Sequence, residues 1–153
     1  MYERILVPLD GSETSKHGLD EAIRLATLSK GHLQVFHALG DMPLSHSMDA
    51  YQSHGGRWAD AMREYGSRVL EDAVEKARSA GVEAEAVLRS GAPGSMAEMV
   101  VEQARSWPAD IIILGTHGRS GVKRMLLGSG AEAVIRSAPV PVLLVRLPDA
   151  AAG

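Results

Sequence analysis

The chain has 153 residues, 45% of them hydrophobic and 23% charged, with a net charge of −3 and no cysteine. Those values fit one ordinary globular domain with one core. They exclude disulfides, thiolate metal sites and a cysteine nucleophile, and they leave no basic footprint for nucleic acid.

Ile5-Leu6-Val7-Pro8-Leu9 is a short apolar run that ends in Asp10-Gly11-Ser12. An unbroken run, as opposed to an alternating one, predicts a strand buried on both faces, as in a parallel sheet. Pro8 places an irregularity near the end of that strand. Ser12 is positioned to cap a helix whose apolar face is Leu19, Ala22, Ile23 and Ala26, with Gly31 as the expected C-cap residue. Leu33 to Leu39 is the second strand. The segment from Gly40 to Arg57 is rich in Ser, His, Gly and Met and is long for a connection in a compact domain. A helix is predicted from Trp58 to Ala80, with Met62, Val69, Ala73 and Ala77 as its buried stripe.

Val82 to Arg89 alternates apolar and polar residues, as an edge strand does. Ser95 and Glu98 form a capping box for a helix that runs through Arg105 and stops at Trp107-Pro108. Asp110-Ile111-Ile112-Ile113-Leu114 is the fourth strand. A helix over Ala131 to Arg136 ends at Ala138-Pro139, and Val140 to Arg146 is the fifth strand. The alternation predicts a parallel sheet with helices on both faces. The domain is expected over residues 1–147, with 148–153 a short Ala-rich tail. No stretch approaches the roughly 20 apolar residues that span a bilayer. Arg4 and Asp10 flank only five apolar residues, which does not read as a signal peptide, so the cytoplasm is the expected location.

Between the fourth strand and its helix lies Gly115-Thr116-His117-Gly118-Arg119-Ser120-Gly121, followed by Gly128-Ser129-Gly130. Glycine lets backbone N–H groups come close to an anion, and the helix behind directs its free N–H groups to the same place. Arg119, Lys123 and Arg124 add positive charge. In open α/β sheets ligands bind beyond the carboxyl ends of the strands, where the winding reverses. Two strand ends carry polar glycine turns, Asp10-Gly11-Ser12 and Gly115 to Gly121. If those strands are neighbours, the order is 3-2-1-4-5 and the turns face one another. The loop is neither a Walker A motif nor a dinucleotide fingerprint, since its glycines are spaced otherwise. Asp10 can meet a ribose hydroxyl or a metal-bound phosphate, or simply cap the helix after it.

These residues carry a family resemblance. The opening Ile5 to Ser12, the pattern Gly115-x2-Gly118-x9-Gly128-Ser129 and Ala138-Pro139-Val140-Pro141-Val142 together resemble the universal stress proteins of the UspA type, in their ATP-binding branch. The resemblance covers Met1 to Arg146. It implies a Rossmann-like five-stranded sheet of order 3-2-1-4-5, a homodimer through the fifth strand (Val140 to Arg146), and ATP, ADP or AMP bound with Mg2+ or Mn2+. It implies Asp10 at the ribose and the metal, and Ala38 at adenine with Pro8 and Leu9 nearby. Gly115, Gly118, Gly128 and Ser129 then meet phosphate and ribose, with Ser129 also capping the helix. Ser12, His117, Arg119 and Gly130 complete the expected binding set. Gly130 departs from the family, which usually has a larger residue there.

An enzyme needs a base or nucleophile at the reacting bond. His117 is the only nearby candidate, and a histidine between glycines reads as a phosphate donor or a spacer. No catalytic residue is assigned, and a nucleotide-binding regulator with at most slow hydrolysis is the expected function. The alternative is a partner-binding dimer with an empty site. His46, Asp49 and His54 in the long segment match no standard metal spacing.

Overall fold

The apolar runs form one parallel sheet. The computed structural model describes residues 1–39, 57–90, 96–116 and 128–148. Among them the elements are β1 (Arg4–Pro8), α1 (Glu13–Ser29), β2 (His32–Ala38), α2 (Trp58–Ser79), β3 (Ala84–Arg89), α3 (Met96–Ser106), β4 (Ile111–Thr116), α4 (Ser129–Ser137) and β5 (Val142–Arg146). The strand order is β3-β2-β1-β4-β5, as expected. All four pairings are parallel, with Ile5 opposite Leu33 on one side and Ile111 on the other.

Alternate residues of the central strands enter two separate cores. Ile5, Val7, Leu33, Val35, Ile111 and Ile113 face α1 and α2. Leu6, Phe36, Ile112 and Leu114 face α3 and Val134 of α4. Both faces are covered, so the strands are apolar at successive positions instead of alternate ones. Burying each of these side chains contributes about 1.5–3 kcal/mol before the entropy of ordering is counted. Gln34 is one of two buried polar residues on β2, the other being His37. The Gln34 amide donates to Glu85 at 3.0 Å and its oxygen accepts from Gln103 at 2.6 Å.

Four local expectations are corrected. Lys30, with φ 57°, is the left-handed residue that ends α1, in place of Gly31. The buried seam of α2 runs through Ala61, Gly66, Leu70, Ala73 and Ala77, while Met62 and Val69 are only half-buried. Gly66 lets the helix lie against the His37 ring, where a Cβ would be 2.7 Å from Cδ2, and that approach rotates the seam. β5 begins at Val142, because Pro141 has no N–H to donate; its carbonyl instead accepts from Ile112 N at 3.0 Å. Gly128 holds the N-cap position of α4 with no side-chain cap bond, and Ser129 is the first helical residue, not the cap. No helix among the described residues is long and apolar enough to cross a membrane.

Candidate functional site

The winding reverses between β1 and β4. Beyond their carboxyl ends lies a cleft of about 550 Å³ lined by Pro8, Leu9, Asp10 and Ser12, by Leu114, Gly115 and Thr116, and by Gly128 to Ala131. Thr14, Ser15, Met96, Ala97 and Ala133 complete its wall. The N-terminal turns of α1 and α4 therefore open into one space, where their free N–H groups favour an anion.

A close backbone approach creates this convergence. A Cβ on Gly115 would run into the Thr14 carbonyl and lie 2.9 Å from Ser15 N. One on Gly18 of α1 would lie 3.0 Å from Gly115 N. The first turn of α1 thus rests directly on the end of β4, and only glycine fits at the crossing.

The turn between β1 and α1 is held by its own polar groups. The Asp10 Oδ1 accepts from Ser12 N at 2.9 Å. The Ser12 hydroxyl accepts from Ser15 N at 3.2 Å, which makes Ser12 the N-cap, and it lies 2.9 Å from the Thr14 hydroxyl. Gly11, with φ 85°, takes the left-handed conformation the turn needs. From behind, the Tyr65 hydroxyl donates to the Asp10 carbonyl at 2.6 Å, and His37 Nδ1 donates to the Leu9 carbonyl at 2.7 Å. A carbonyl only accepts, so the ring carries its proton on Nδ1.

His37 is 1% exposed, and burial pushes its pKa below the ordinary 6.5, against the opposing pull of the Leu9 hydrogen bond and the Asp10 charge. The folded state therefore favours the neutral ring. This contribution to stability is complete above pH 6.5 and is lost as the pH falls below it, because the unfolded chain then binds a proton that folded His37 does not. Urea unfolding on both sides of that pH is expected to show a steeper acid loss for the wild type than for His37→Asn, whose amide can still donate to Leu9. Equal losses in the two proteins would contradict the assignment.

Pro8, Leu9, Asp10, Ser12, Gly115, Gly128, Ser129 and Gly130 all line the cleft. Ala38 does not. It is the buried last residue of β2, opposite Arg89. His117, Gly118, Arg119, Lys123 and Arg124 lie outside the described residues, as do His46, Asp49 and His54. Thr14, Ser15, Met96 and Ala97 were not anticipated, and Thr116 was expected only as part of the glycine loop. Thr14 and Ser15 stand two and three residues after the cap residue Ser12, a signal that was legible; Met96 and Ala97 reach the cleft only through the packing of α3. A hollow of similar volume, about 550 Å³, lies at the other end of the sheet near His32, Arg78 and Glu83. It is at the amino ends of β2 and β3, away from the switch point.

The chain matches the model of the universal stress protein family over residues 1–146. The universal stress protein YxiE of Bacillus subtilis is 32% identical over 151 residues, covering 95% of this chain and 100% of that protein. A crystal structure of a universal stress protein family member from Burkholderia pseudomallei is 32% identical, with a TM-score of 0.70 over 94% of this chain and 96% of that one. A universal stress protein in complex with cAMP is 25% identical, with a TM-score of 0.65 over 94% of this chain and 97% of that one.

Proposed function

The chain belongs to the universal stress protein family, and on that premise we propose that its cleft binds an adenine nucleotide, ATP, ADP or AMP, in a cytoplasmic homodimer that acts as a stress-response regulator. The observation that carries this reading is the meeting of the α1 and α4 N-termini around the Asp10 turn, Gly115 and Gly128-Ser129-Gly130. The relative crystallised with cAMP supports the choice of an adenine nucleotide.

In this reading the N–H groups at Gly115, Gly128, Ser129 and Gly130 bind phosphate, with Gly118, His117 and Arg119 beside them. Asp10 and Ser12 take the ribose and metal side, and the backbone at Ala38, with Pro8 and Leu9, takes adenine. The donors present fit Mg2+ or Mn2+. Asp10 is the one carboxylate lining the cleft among the described residues, with the Ser12 and Thr14 hydroxyls close by. Mg2+ is commonly held by one or two carboxylates together with phosphate and water. Such an ion neutralises phosphate charge when bound. We assign no catalytic residue.

Calorimetric titration with ATP, ADP, AMP, cAMP and GTP tests the reading. Saturable binding of adenine nucleotides, with GTP weaker, is expected. No saturable heat with any adenine nucleotide at millimolar concentration would overturn it.

The dimer is assigned to β5, an edge strand whose Leu143 is 38% exposed. An apolar edge left unpaired invites association. Sedimentation at micromolar concentration is expected to give a dimer for the wild type and a monomer for Leu143→Asp. A monomeric wild type would refute this interface.

A further inference from the structure

A second cavity, of about 350 Å³, lies between α1 and α2 behind the Asp10-Gly11 turn. Its floor is Leu9, Leu19, Val69 and Ala73, of which Leu9, Leu19 and Ala73 are no more than 4% exposed. The space exists because Ser15 on α1 and Ala73 on α2 are too small to fill the gap between the helices. Three cations, Lys16, Arg68 and Lys76, line the rim together with one carboxylate, Asp72. The Tyr65 ring also lines it, with its hydroxyl committed to the Asp10 carbonyl.

We propose that this cavity is a second ligand site, for a small amphipathic anion: an aromatic carboxylate with its ring on the apolar floor and its charge among the rim cations. The volume stands at the small end of ligand pockets, roughly 300–1,000 Å³, which suits one or two fused rings. The floor gives a flat hydrocarbon a dry surface to cover. Among the described residues each rim cation has a carboxylate partner, two of them solvent-exposed and one half-buried: Lys16 pairs with Glu13 at 3.1 Å, Arg68 with Glu64 at 2.9 Å and Lys76 with half-buried Asp20 at 2.5 Å. The two exposed pairs, at Lys16 and Arg68, contribute little and exchange readily. A carboxylate brought to the edge of the apolar floor is better shielded from water than those partners, so its attraction to the cations is stronger. A neutral ligand of the same shape gains the floor but not these ion pairs, and a cation would have to displace Lys16, Arg68 or Lys76 from the rim. This inference stands apart from what the cleft binds, although the two spaces share Leu9 and Ser15 as walls.

The test is a backbone amide NMR titration of the full chain with 2-naphthoate and, in parallel, with neutral 2-naphthamide. Saturable shifts are expected at Ser15, Leu19, Val69 and Ala73, with the carboxylate binding about tenfold more tightly than the amide. Val69→Trp, which fills the cavity, is expected to abolish both. Arg68→Gln, at an exposed position that should not affect folding, is expected to reduce the preference for the carboxylate. Absence of shifts at millimolar ligand, equal affinity for the two compounds, or shifts centred on Gly115 and Gly130 that ATP abolishes would each overturn the proposal.

Discussion

Replacing Gly115 with valine is expected to destabilise the protein by about 3 kcal/mol, lowering the thermal midpoint by roughly 6–12 °C. The cause is steric and lies in the backbone. A Cβ at this position runs into the Thr14 carbonyl, and backbone atoms of a capped helix cannot move aside as the end of a side chain can. The same collision pushes the first turn of α1 off β4, so the cleft is deformed along with the fold. Gly130→Ala is the control. There, among the described residues, a Cβ meets only the Met96 methyl, at 2.6 Å, which can swing away. Removing a helical glycine then stabilises by roughly 0.5–1 kcal/mol. Thermal unfolding of both variants checks the pair. A Gly115→Val protein as stable as the wild type would show that the crossing of α1 and β4 is not the tight contact described.

The second large effect separates two roles of Asp10. Its Oδ1 already accepts from Ser12 N, so part of the carboxylate serves the turn. Asp10→Asn keeps an oxygen acceptor in place and is expected to change stability by less than about 1 kcal/mol. It removes the charge, and affinity for ATP in the presence of Mg2+ is expected to fall by roughly tenfold or more. Asp10→Ala is expected to lose the turn hydrogen bond as well, lowering both affinity and stability. Unfolding curves and calorimetry on the two variants distinguish these effects. If Asp10→Asn binds Mg-ATP as tightly as the wild type, Asp10 is a turn residue only.

The sheet was legible because its chemistry is local. Ile111, Ile112 and Ile113 are apolar in succession since successive side chains enter different cores, and no half-buried strand has that need. The strand order followed from Asp10-Gly11-Ser12 and Gly115, the two polar glycine turns at strand ends, once they were set face to face. Features that depend on distant partners were not legible. Gly115 reads locally as a loop glycine for phosphate, and its contact with Thr14 joins residues a hundred positions apart. The Tyr65 hydroxyl that fixes the Asp10 carbonyl sits on a helix whose own periodicity gives no hint of the turn. The seam of α2 was misjudged at Met62 for the same reason: Gly66 is selected by the His37 ring, not by helical spacing. Ser129 looked like a cap by residue type, yet the chain enters α4 one residue earlier, at Gly128. Met96 reaches the cleft only because α3 packs beside α4.

The most direct test of the central claim is the nucleotide content of the protein itself. The protein would be purified without added nucleotide, denatured, and the released small molecules identified by chromatography and mass spectrometry. A second sample would first be incubated with millimolar Mg-ATP and desalted. The nucleotide reading predicts adenine nucleotide approaching one molecule per chain, in the first sample or at the latest in the second. Two empty samples would contradict it, and would make the convergence at Gly115 and Gly128 a packing feature of a partner-binding dimer.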